Sequence, residues 1–139
     1  IGVSGFGSLF AIAVEPTHQQ SKVDRAIDAL DVGTIDGHEV GIGTQNPLGN
    51  FMKNIWNSRH REQKHIVIIL TDGYWGGAEQ AQSDAQELHA AGIDTIGIGI
   101  GGADEEFLRE ISSLKDLSGL TDLSHLSESF SKIARVISA

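Results

Sequence analysis

At 139 residues, with 40% hydrophobic and 21% charged side chains, the chain has the composition of one folded domain able to bury roughly two-thirds of its unfolded surface, and not of a disordered or low-complexity segment. Nineteen acidic against ten basic side chains leave a formal charge of −9, which disfavours nucleic acid and anionic lipid as partners and favours cations and basic surfaces. The absence of cysteine removes disulfides, zinc–thiolate sites and iron–sulfur clusters, and no apolar run approaches the roughly 20 residues of a membrane span.

In chain order, Ile1 to Phe6 and Leu9 to Val14 are short apolar runs joined by Gly7-Ser8, which predicts a β-hairpin. Ser21 is placed to cap a helix in which Val23, Ile27 and Leu30 share one face. Asp31 to Gly43 holds four glycines and no periodicity, so it reads as a loop leading to Thr44. A second helix is expected from Pro47, burying Leu48, Met52, Ile55 and Trp56, with Arg59-His60-Arg61 complementing its C-terminus.

His65 to Thr71 is apolar at every second position on both faces, the pattern of a strand covered by helices above and below. A helix over Gly76 to Ala91 follows, with Ala78, Ala81, Ala85 and Leu88 on its buried side and Gly92 where a left-handed terminal residue belongs. Ile93 to Gly99 is a second parallel strand and Asp104 to Leu114 a helix through Phe107, Leu108 and Ile111. Leu117 to Thr121 is a short edge strand, and the last helix buries Leu126, Phe130, Ile133 and Ile137. This alternation from residue 65 predicts parallel pairing with right-handed crossovers.

Ligands of open parallel sheets sit beyond the carboxyl ends of the strands, and Thr71-Asp72-Gly73 is such an end. Asp72 either presents a carboxylate oxygen to a hard cation or makes an Asx-turn. Gly41-Ile42-Gly43-Thr44 is a glycine-rich loop presenting a hydroxyl before a helix, where Thr44 is otherwise a helix cap. A hydroxyl and a carboxylate without sulfur or imidazole suit magnesium or manganese. Tyr74 and Trp75 follow on the ligand-facing rim, as partner contacts or as cover for the adjacent helix.

The succession HIVIILTDG, helix, GIDTIGIGIGG, helix, short strand and DLSHLSESFSKIARVI resembles the second half of a von Willebrand factor A (vWA) domain, with GVSGFGS similar to the family's second strand and GIGT to its Gly-Gly-Thr loop. The resemblance spans nearly the whole chain. It implies a Rossmann-like three-layer α/β sandwich, mostly parallel with one antiparallel edge strand, and a metal-ion-dependent adhesion site (MIDAS). Of that site's ligands, Thr44 and Asp72 match the second-loop Thr and the third-loop Asp, and Gly43, Gly73, Tyr74 and Trp75 flank them. The Asp-x-Ser-x-Ser motif of the family's first strand is absent, and Ile42 replaces the first of the two usual glycines. That absence, with a start at Ile1, gives the expectation of a single vWA-like domain incomplete at its N-terminus, or one whose missing central strand comes from another chain.

The function so implied is non-catalytic: a module that binds a protein partner, in the family's intact form through Mg2+ or Mn2+ bridged by the partner's acidic side chain. Family members include adhesion receptors and intracellular adaptors that work beside AAA+ ATPases, and the missing cysteines lean toward a cytoplasmic rather than an extracellular setting. The alternatives are a nucleotide- or Mg-dependent enzyme in the same crevice and a structural module with a decayed metal site. Gly97-Ile98-Gly99-Ile100-Gly101-Gly102 fits the dinucleotide pattern, but its glycines begin inside the strand and Asp104-Glu105-Glu106 would repel a pyrophosphate. No nucleophile elbow is present, and the six histidines lack metalloprotease spacing and read as surface or loop residues.

Overall fold

A computed structural model describes residues 1–31, 33–35, 38–39, 46–54, 64–72 and 75–138, with backbone alone at residues 35, 38 and 51–54. The chain divides into two compact units, Ile1–Trp56 with Trp75–Gly77, and Asn57–Tyr74 with Ala78–Ala139.

In the first unit, β1 (Val3–Phe6) and β2 (Phe10–Val14) form the expected antiparallel hairpin, Phe6 opposite Phe10. Helix α1 (Gln20–Asp28) begins one residue before Ser21, because the Thr17 hydroxyl takes the amide of Gln19 and turns the chain there. Of the face expected to be buried, only Val23 is; Ile27 and Leu30 are 51% and 42% exposed. The segment read as a loop contains two two-residue strands, β3 (Thr34–Ile35) and β4 (His38–Glu39), paired antiparallel. They are too short for any hydrophobic period to register.

Helix α2 (Pro47–Asn54) starts at the proline, and Asn46 Oδ1 accepts the Leu48 amide at 3.0 Å. Asn46 therefore does the capping for which Thr44 was one candidate, and Pro47 sits where its missing N–H costs nothing. Leu48 is fully buried. The expected contributions of Ile55, Trp56 and Arg59-His60-Arg61 lie outside the described residues, as does the side chain of Met52.

The second unit is a three-stranded parallel sheet in the order β5-β6-β7, from β5 (His65–Thr71), β6 (Ile93–Ile100) and β7 (Gly119–Thr121). The parallel and antiparallel parts expected of one mixed sheet are both present, each hydrogen-bonded within itself. Side-chain alternation along β6 sends Ile96 and Ile98 to one face, where they meet Ile133 and Leu126 of α5 (Leu126–Ile137) together with Ile66 and Ile68 of β5. Gly97 and Gly99 face the other way, toward Leu108 of α4 (Glu105–Glu110), and the Thr95 hydroxyl toward the Ile111 carbonyl just beyond that helix. Helices thus cover both faces of β6, as its apolar sequence predicts.

Helix α3 (Ala78–Ala90) buries Ala81, Ala85 and Leu88, and Gly92 closes it at φ +79°. Asp104 caps α4 by accepting the Phe107 amide at 3.1 Å. That helix ends at Glu110 and not at Leu114, because Ser112 and Ser113 are used differently. Strand β7 pairs only with Ile98–Ile100, so the amides of Thr95 and Gly97 lie beyond its reach. The hydroxyl of Ser113 accepts the first at 3.0 Å and that of Ser112 the second at 2.9 Å, so two serines complete the ladder where a strand is missing. A 3-10 turn at Lys115–Leu117 then leads into β7. In α5 only Ile133 is fully buried; Phe130 and Ile137, expected in the core, are 38% and 36% exposed.

Candidate functional site at the carboxyl ends of the parallel strands

Thr71, Gly99 and Leu120 stand in one row across the sheet, so the next positions outward are Asp72, Ile100 and Thr121, and then Asp122. Two carboxylates therefore leave the same edge of the sheet from strands two spacings, roughly 10 Å, apart. Asp72 is exposed, and among the described residues its carboxylate meets no hydrogen-bond donor or cation. The amide with which an Asx-turn of Asp72 would close belongs to residue 74, outside the described residues.

Asp122 is held in its turn. Its carboxylate accepts from the Ser124 hydroxyl at 2.5 Å, the His125 amide at 3.0 Å and His125 Nδ1 at 2.9 Å. The Ser124 hydrogen bond, followed by the His125 side chain, holds its pKa down at about 2, and Asp122 in turn raises His125. Such a carboxylate is already used to start α5, whereas that of Asp72 has no such partner among the described residues.

Of the residues singled out from the sequence, Thr44, Gly43, Gly73 and Tyr74 lie outside the described residues. Trp75 is only 8% exposed, and its ring stands edge-on to Phe6, 5.4 Å between centroids at 79°. This is the geometry of a packing contact rather than of an exposed rim. Among the described residues no three His, Cys, Asp or Glu side chains converge as a metal site. Asp72 alone is one oxygen donor of the six that magnesium requires, so the described residues do not by themselves make a magnesium shell.

The glycines of the dinucleotide-like sequence are occupied by packing. A Cβ on Gly99 would stand 2.6 Å from Leu108 Cδ1, 2.7 Å from Ala103 Cβ and 2.9 Å from Leu120 Cδ2. Helix α4 lies against the bare strand backbone, where a pyrophosphate would need open space. A polar cluster not singled out from the sequence lies at the opposite end of β6. There Thr95 Oγ1 donates to the Ile111 carbonyl at 2.6 Å, so His89 Nε2, 2.7 Å away, is the donor to Thr95. Burial lowers the pKa of His89. This histidine is thus half-buried and hydrogen-bonded where a surface or loop residue was expected; Thr95, beside Asp94 in a strand otherwise made of isoleucine and glycine, was the available signal.

A family model described as von Willebrand factor type A domain matches residues 1–136. The chain belongs to this family. Human (Homo sapiens) Matrilin-1 is 28% identical to it over 89 residues, 64% of this chain and 17% of Matrilin-1. Among solved structures, proximal thread matrix protein 1 from the mussel byssus is similar with a TM-score of 0.73 at 24% identity, over 91% of this chain and 33% of the mussel chain. A second crystal form gives 0.76 at 21% identity, covering 98% and 34%. A third structure, with a zinc-occupied MIDAS motif, gives 0.75 at 24% identity, covering 91% and 33%. The vWA chain described here spans about a third or less of these relatives.

Proposed function

We propose that this vWA chain is a non-catalytic protein-binding module that meets its partner at the carboxyl ends of β5, β6 and β7, through a divalent cation held in part by Asp72. The observation that carries this reading is the Asp72 carboxylate, exposed at the end of β5 and unengaged among the described residues, in a member of a family with a solved zinc-occupied MIDAS. The remaining cation ligands would come from other residues and from an acidic side chain of the partner. The dense packing at Gly99 argues against the nucleotide-dependent alternative.

The names of the relatives, a matrilin and a byssal thread matrix protein, support an extracellular matrix setting over the cytoplasmic one suggested by the missing cysteines. Calorimetric titration of magnesium and manganese into the protein tests the site. Weak binding that disappears in Asp72→Ala is expected, since magnesium with few protein ligands keeps most of its waters. Tight binding indifferent to Asp72→Ala, or no binding at all, would remove the cation from the proposal.

A further inference from the structure

The first unit holds a groove of about 330 Å³ between β2 and α1, at the small end of the range for ligand pockets. Its walls include Ala13 and Val14 from the strand and Ala26 and Leu30 from the helical side, and its charged groups are Lys22 and Arg25. Residues 1–52 contain six acidic side chains and only these two Lys or Arg residues. Both cations of an acidic stretch therefore border one apolar surface.

The helix explains the separation of charge. At about 100° per residue, positions 22, 25, 26 and 29 share one side of α1, and Asp24 and Asp28 fall on the other. Asp24 accepts the Gln20 side-chain amide at 2.7 Å. Arg25 Nε donates to the Ser21 carbonyl at 3.1 Å, which fixes the guanidinium by one of its five N–H groups and leaves the others for a ligand. Neither Lys22 nor Arg25 takes part in the ion pairs of the described residues.

We infer that this groove binds an acidic, aliphatic peptide segment of a protein partner, carboxylates on Lys22 and Arg25 and aliphatic side chains on the alanine and leucine surface. Charge complementarity selects the occupant: on a chain of formal charge −9, only a locally positive surface attracts an acidic segment. The apolar walls then reward side chains that an isolated anion does not have. The inference is independent of the cation reading of Asp72, because the groove is built wholly within the first unit.

The test is nuclear magnetic resonance titration of the 15N-labelled protein with a capped hexapeptide of alternating leucine and glutamate. Shifts are expected at the amides of Ala13, Val14, Ala26 and Leu30, with affinity that falls as salt is raised. Combined Lys22→Glu and Arg25→Glu should weaken binding about tenfold or more, equivalent to ~1.4 kcal/mol, and Lys22→Gln with Arg25→Gln should weaken it less. Both exchanges are on exposed positions, and an unchanged backbone spectrum checks the fold. Equal binding by the charge-reversed protein, equal binding of a leucine–lysine hexapeptide, or shifts confined to other residues would overturn the inference. Octanoate binding as tightly as the peptide would overturn it too, by making the groove a site for small amphiphiles.

Discussion

The two units of this chain are built on unlike strands, and they differ in how much core each has. Every residue of β1 and β2 is only half-buried, whereas β6 is buried from Thr95 to Gly99. Of the fifteen buried hydrophobic residues among those described, the first unit holds Val23, Leu48 and Trp75 and the second the other twelve. A hairpin with a single helix against it encloses little. With helices on both faces, β6 buries all but Asp94 and Ile100, and the stability of the chain is expected to be concentrated there.

The largest test of this contrast is Leu108→Ala in α4. Leu108 is 1% exposed and lies on the glycine face of β6, so its truncation should lower the unfolding free energy by about 3 kcal/mol in urea titrations followed by circular dichroism. Phe6→Ala, which removes the ring beside Trp75, should cost about 1 kcal/mol, chiefly the edge-to-face pair, and appear as a change in tryptophan fluorescence. Equal losses would erase the distinction between the units.

Next in size is Asp104→Ala, which deletes the cap of α4 and should cost about 1 kcal/mol by the same titration. The smallest effect is that of acid on His89. Burial depresses its pKa below 6.5, so the unfolded chain takes up the proton first. Its contribution is whole above 6.5 and is lost as pH falls through the lower folded value. The melting temperature should therefore decline from neutral pH toward about pH 5, and His89→Gln should flatten that part of the profile. The exposed Asp122–His125 pair runs oppositely for its imidazole: the raised His125 contributes below 6.5 and ceases to as pH rises through its folded value.

Strands and helices with a clear period were legible in the sequence. The hairpin, the bounds of β5, the glycine stop of α3 and the parallel pairing of β5 with β6 all follow from apolar spacing and turn residues. What failed was set by tertiary contacts that a period cannot carry. Ile27 and Leu30 have helical spacing but only Val23 found a surface to cover. The helix predicted to Leu114 stops early because Ser112 donates to the Leu108 carbonyl while accepting from Gly97.

The candidate site divides in the same way. The place of Asp72 at a strand end was legible from the apolar run before it, and the groove was not, because it depends on the side of α1 that meets β2. The clustering of Lys22 and Arg25 in an otherwise acidic stretch was the signal that could have drawn attention to it.

The hydroxyl bridges below β7 also bear on the order in which the molecule assembles. Those from Ser112 and Ser113 to β6 close over 15 to 19 residues. The β6–β7 and β5–β6 ladders pair more distant partners, Ile98 with Gly119 and His65 with Ile93. Shorter closures lose less chain entropy and are reached sooner. Within the second unit, the segment from β6 through α4 thus closes on itself over shorter spans than either ladder, and its serines give β6 two hydrogen-bond partners along the stretch that β7 does not reach.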